Sequence, residues 1–174
     1  MKFLIIYYSF SGNNRLLAQH LAKRLNCDIC PIIEKKRRTM FTILLDMIFR
    51  REPQIKDLEF PVSDYDHIIL LAPIWGSKLA NPMTSLLKRE KTALSNFSFI
   101  SLCGYERTGQ KEKITKQLNA ITETSPKAVV ELRICDLFPP EKRNEIKTVS
   151  RYHAKSEDLL IYDSQINEFL NLIH

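Results

Sequence analysis

Phe3-Leu4-Ile5-Ile6-Tyr7-Tyr8, followed by Ser9-Phe10-Ser11-Gly12-Asn13-Asn14, is the stretch on which the reading of this chain turns. Six consecutive apolar or aromatic residues are what a strand buried on both faces requires. Behind the polar turn, Leu17, Ala18, Leu21, Ala22 and Leu25 recur at helical spacing, so the turn delivers a helix N-terminus. Backbone N–H groups there lack intrahelical partners and carry the positive end of the macrodipole. Ringed by Ser9, Ser11, Asn13 and Asn14, they offer a cradle for one phosphate monoester. The turn lacks the Gly-Lys-Ser/Thr ending of a nucleoside-triphosphate loop, and it is not G-x-G-x-x-G. An ordinary strand-to-helix turn with good capping residues would carry the same letters.

Working outward, Asp28 to Ile33 reads as a short second strand, and Pro31 places it at a sheet edge. His67 to Ala72 is a third, buried strand that runs into Pro73-Ile74-Trp75-Gly76-Ser77-Lys78, a loop holding the sole tryptophan. Asn81 is expected to cap the next helix, with Pro82 at its first position and Met83, Leu86 and Leu87 facing inward. Phe97 to Leu102 is a fourth strand, ending in Cys103-Gly104-Tyr105, and a helix with Ile114, Leu118 and Ile121 on one face follows. Val130, Leu132 and Ile134 alternate with Glu131 and Arg133, so the fifth strand is half exposed and belongs at an edge. Ile166, Phe169, Leu170 and Ile173 mark a final helix, whereas 138–162 shows no period.

Strands alternating with helices imply an α/β fold with a parallel sheet covered on both faces. Edge signatures on the second and fifth strands, with central character in the others, fit the doubly wound order 2-1-3-4-5 over one domain, 1–174. Such folds bind ligands where the strand order reverses, between strands 1 and 3. The four glycines, Gly12, Gly76, Gly104 and Gly109, all follow the carboxyl ends of strands 1, 3 and 4, the loops around that point.

Composition is ordinary for a globular chain of 174 residues, and no apolar run approaches a membrane span. A cytoplasmic location is expected. The net charge of +6 is local: Lys35 to Arg51 holds six basic residues against Asp46, which is +5 of the total. That distribution argues against nucleic-acid binding as the main role. Between its basic ends, Met40 to Phe49 reads as a very apolar helix that could pack on the fold, form a homodimer interface, or touch an anionic membrane through 35–51. Cys27-x-x-Cys30 falls at a strand start without a second ligand pair, so structural cysteines are expected, and the four histidines show no metal-ligand spacing. His20 is expected on the exposed side of the first helix.

Two motifs carry a family resemblance. Ser9-Phe10-Ser11-Gly12-Asn13-Asn14 resembles the flavodoxin phosphate loop, Ser/Thr-x-Ser/Thr-Gly-Asn-Thr, with Asn14 replacing the last hydroxyl residue. Pro73-Ile74-Trp75-Gly76 resembles the family's second flavin loop. The resemblance covers roughly residues 2 to 135 in element order, is closest to short bacterial flavodoxin-like proteins, and implies the flavodoxin-like sandwich with FMN as cofactor. Ser9, Phe10, Ser11, Gly12, Asn13 and Asn14 would then surround the phosphate, and Pro73, Ile74, Trp75, Gly76, Ser77, Cys103, Gly104 and Tyr105 the ring. Trp75 would stack on one ring face and Tyr105 on the other, while the Gly76 peptide would turn toward the reacting nitrogen.

Chemistry would reside on the flavin, with no catalytic side chain. The chain departs from electron-carrier flavodoxins in its positive charge. Lys78 and the basic segment would favour the anionic reduced cofactor and hence two-electron chemistry. The expected function is therefore an FMN-dependent oxidoreductase passing electrons from NAD(P)H or a reductase to a quinone-like acceptor. A one-electron carrier for a protein partner, or a flavodoxin-like scaffold without flavin that serves as a binding module, are the alternatives.

Overall fold

The computed structural model describes residues 1–36, 52–105 and 107–174. The apolar helix expected over Met40 to Phe49, and most of the basic segment 35–51 around it, lie outside the described residues. Strands β1 (Phe3–Tyr7), β2 (Asp28–Pro31), β3 (His67–Leu71), β6 (Phe97–Cys103) and β7 (Val129–Arg133) form one parallel sheet in the order β2-β1-β3-β6-β7. This is the expected order 2-1-3-4-5, renumbered because a two-stranded hairpin, β4 (Ile74–Trp75) with β5 (Lys78–Leu79), intervenes. Ile6 sits opposite Cys30 on one side and Leu70 on the other, so the first strand is central.

The strands read as unbroken apolar runs because successive side chains enter two different cores. Leu4, Ile6, Ile68, Leu70, Phe97 and Phe99 face α2 (Asn81–Arg89) and α3 (Gln110–Thr122). Phe3, Ile5, Ile69, Leu71, Ile100 and Leu102 face α1 (Asn13–Leu25) and α5 (Asp163–Ile173). From the helices, Leu17, Leu21, Ile114, Leu118, Ile166 and Phe169 are each fully buried. A buried Leu, Ile or Phe contributes about 1.5–3 kcal/mol from apolar area alone. The helical stripes thus anchor both layers.

Several local expectations need correcting. The second strand ends at Pro31 rather than Ile33, since proline cannot donate to the ladder, although Ile32 N–H still donates to Tyr7 O at 2.7 Å. Asn81 does not cap α2: Ala80 is the N-cap, its carbonyl accepting from Met83 N–H at 2.9 Å, and Asn81 is the first helical residue. His20 is half-buried, with Nε2 enclosed and no hydrogen-bond partner, rather than exposed.

The aperiodic stretch after β7 is a run of single 3₁₀ turns and a short helix, α4 (Ile146–Ser150). It leads through Ser156–Tyr162 to α5. Tyr162, buried in the second core, donates through its hydroxyl to Arg133 O at 2.6 Å and fixes this segment against β7.

Candidate functional site

At the carboxyl end of β1 the chain is held from both sides: Tyr8 N–H donates to Leu71 O at 2.8 Å, and Tyr7 O accepts from Ile32 N–H. The loop Ser9–Ser11 then leads into α1, whose N-cap is Gly12 at φ +94°, a conformation that favours glycine. The first bond of the helix runs from Leu16 N–H to Gly12 O at 3.0 Å, so the N–H groups before it have no acceptor within the helix.

The two asparagines of this loop are buried and engaged elsewhere. Asn14 Oδ1 accepts from Leu102 N–H at 3.0 Å, and its Nδ2 donates to Leu102 O at 3.2 Å. Asn13 Oδ1 accepts from Ala154 N–H at 2.9 Å, and its Nδ2 donates to Tyr152 O at 2.9 Å. Both amide side chains, expected from the sequence to surround a phosphate, tie the loop to β6 and to the segment before α5. Ser9 differs: its Oγ is buried and has no hydrogen-bond partner among the described residues.

The second loop is the β4–β5 hairpin. Gly76 and Ser77 have φ of +58° and +59°, the paired left-handed residues of a two-residue turn between Trp75 and Lys78. Gln117 of α3 pins the turn, donating to Ser77 O at 2.9 Å and accepting from Leu79 N–H at 3.1 Å. The Trp75 ring meets Tyr8 and Phe10 edge to face, with centroids 6.3 and 6.2 Å away. That trio is a preformed aromatic wall. Tyr8 also donates to Glu34 Oε1 at 2.8 Å.

Between these loops and the one after β6 lies a cleft of about 370 Å³, large enough for a cofactor-sized ligand. Phe10, Ser11, Asn13 and Asn14 reach it from the first loop, Pro73, Ile74, Trp75 and Gly76 from the second, and Cys103, Gly104 and Tyr105 from the third. Ser9 and Gly12 instead line a neighbouring cavity of about 340 Å³, and Ser77 lines neither. Tyr105 contributes to the wall, but its hydroxyl is tied to Glu145 O at 3.1 Å. Lys78, the cation expected beside the ring, is exposed and lines neither cavity. Among the described residues that line the cleft, Arg107 is the cation and none is a carboxylate.

Other wall residues had no signal in the sequence. Gln110, the buried first residue of α3, accepts from Ser77 Oγ at 3.5 Å and lies beside Cys103 Sγ. Val149 and Ser150 of α4 close the cleft from the stretch that lacked a period. From the same stretch His153 Nδ1 sits 2.9 Å from Ser11 O. Arg15, in the first turn of α1, lines the neighbouring cavity. Its placement follows from the helix register, three residues past Gly12.

Two of the thiols, Cys27 and Cys103, are not primed for reaction. Cys103 is pushed up to about 12 by burial and the nearby Glu131 carboxylate, and Cys27 to about 11 by burial and Asp28. Both stay protonated at neutral pH, and all four cysteines are free. Among the described residues no group of His, Cys, Asp or Glu is arranged to hold a metal ion, and no helix is long and apolar enough to cross a membrane.

No protein-family model matches this chain, and no curated protein matches it. Solved structures do. A flavoprotein from Lactobacillus acidophilus in complex with FMN superposes with a TM-score of 0.61 at 16% identity, over 86% of this chain and 98% of that one. The apo form of a flavoprotein from the same organism gives 0.60 at 20% identity, over 75% and 91%. A protein from Bacteroides eggerthii gives 0.66 at 17% identity, over 86% and 98%. With the strand order above, these likenesses establish a flavodoxin-like fold.

Proposed function

We propose that this protein binds FMN in the cleft and works as an FMN-dependent oxidoreductase. The observation that carries the reading is the buried, partnerless Ser9 Oγ, set in a loop at a helix N-terminus next to an aromatic-walled cleft. A buried hydroxyl without a partner costs about 1–3 kcal/mol, which a phosphate oxygen would recover. That the L. acidophilus protein of the same fold is seen with FMN supports the choice of ligand.

The residues fit the group. Ser9, Ser11 and the backbone N–H groups from Gly12 onward would hold the phosphate. Trp75, Ile74, Leu102 and Val149 supply an apolar slot for a flat ring, and Tyr105 and Gln110 add polar atoms to its wall. Bound there, FMN would supply the one- or two-electron transfer, while the protein binds, orients and sets the electrostatics. Arg107 in the slot's wall favours negative charge on the reduced cofactor. That supports two-electron reduction, with NAD(P)H or a reductase as donor and a quinone-like molecule as acceptor.

The test is the visible spectrum of the purified protein before and after FMN addition and gel filtration, followed by turnover with NAD(P)H and a soluble quinone. Retained flavin with turnover is the expected result. Retained flavin with abundant one-electron-reduced species and no quinone turnover would identify a carrier for a protein partner. A folded protein that retains no flavin would leave only the scaffold.

A further inference from the structure

Arg15 occupies the third position of α1, where the positive end of the macrodipole disfavours a cation, and the first turn contains no acidic residue. Its guanidinium nevertheless folds back toward the loop: Nη2 lies 4.0 Å from where a Cβ on Gly12 would sit. Among the described residues no carboxylate forms an ion pair with it. It shares the cavity of about 340 Å³ with Tyr7, Ser9, Ser11 and Gly12, and the burial-raised pKa of Tyr7 is partly offset by this guanidinium. A buried hydroxyl in that wall, Ser9 Oγ, has no hydrogen-bond partner among the described residues. Positive charge is thus concentrated where the fold already supplies unpaired N–H groups, and nothing described neutralises it. Meanwhile Asn14, at the motif's last hydroxyl position, has its side chain engaged with Leu102.

We propose that Arg15 replaces the missing hydroxyl as the charge partner of a phosphate monoester at this loop, and so discriminates phosphorylated from unphosphorylated flavin. The inference rests on the flavin reading but concerns a residue that reading does not use. A guanidinium suits the task because its planar fork matches phosphate oxygens and its charge is permanent.

The experiment compares wild type, Arg15→Gln and Arg15→Lys as apoproteins, titrated with FMN and with riboflavin at two salt concentrations. Inorganic phosphate is added separately while thermal unfolding is followed. The position is exposed, so all three should fold alike. Arg15→Gln should weaken FMN binding at least about tenfold and riboflavin less than twofold, with Arg15→Lys between. Phosphate should raise the melting temperature of wild type but not of Arg15→Gln. An unchanged FMN-to-riboflavin ratio in Arg15→Gln overturns the proposal while leaving flavin binding intact. If wild type takes neither flavin, the flavin reading fails and the phosphate arm decides alone. Stabilisation lost in Arg15→Gln then upholds an anion site at Arg15, and no stabilisation of wild type refutes it.

Discussion

Asn14 grips the backbone of Leu102 at both its N–H and its carbonyl, joining the first helix to a strand 88 residues later. The geometry is that of one extra rung of sheet made by a side chain. It holds the first loop at a fixed distance from the floor of the cleft. Asn14→Ala would leave two buried backbone groups unpaired and should cost about 2–4 kcal/mol. Urea unfolding would show this as a lower midpoint at unchanged slope. Flavin retention should fall with it, because the loop loses its tether.

The hairpin turn offers a test in which the sign differs between neighbours. Gly76 has φ +58°, and a methyl added there would find nothing within 4 Å, so Gly76→Ala meets only backbone strain, about 1–2 kcal/mol. Ser77 bears that strain already at φ +59°, and Ser77→Gly should be neutral or stabilising by up to about 1 kcal/mol. Thermal melts of the pair check both directions.

Trp75 is the sole tryptophan, so its fluorescence reports on the cleft. Flavin binding should quench it. Trp75→Leu should lower flavin affinity about three- to tenfold through lost aromatic contact, and Trp75→Phe should lower it less. Equal affinity in all three would remove the ring from the site.

His67 lies at the opposite end of the sheet, fully buried between Asn96 Oδ1 at 3.0 Å and Ser98 Oγ at 3.1 Å. Burial pulls its pKa down to about 4 from the ordinary histidine value of 6.5. The folded state therefore binds fewer protons than the unfolded one between those values. Its full contribution is present above pH 6.5, is lost as pH falls toward 4, and amounts to about 3 kcal/mol. Stability measured across that window should slope accordingly, and His67→Gln should flatten the slope without touching flavin retention.

The layers of the fold were readable from local pattern, because burial on two faces writes an unbroken apolar run and an edge writes alternation or a proline. Pro31 and Glu131 marked the two edges for that reason. The loops around the cleft were readable as places, through Gly12 and Trp75-Gly76, but not as contacts. Asn13 and Asn14 fit a motif and do line the cleft, but the motif says nothing of what their side chains bond to. Those partners are 88 to 141 residues away, and no local pattern encodes such a pairing. The wall residues Val149 and Ser150 escaped for another reason. A segment built from short 3₁₀ pieces and a five-residue helix has no repeat long enough to show a face.

Asn13 bonds to Tyr152 and Ala154 across separations of 139 and 141 residues. During synthesis, then, the first helix leaves the ribosome long before the backbone that satisfies its buried amide exists. Domains fold largely as units once their chain has emerged, so the loop stays unlatched until synthesis has passed Ala154. The cleft in which FMN is proposed to bind is therefore completed late, and loading of the proposed cofactor would follow translation of that segment rather than accompany it.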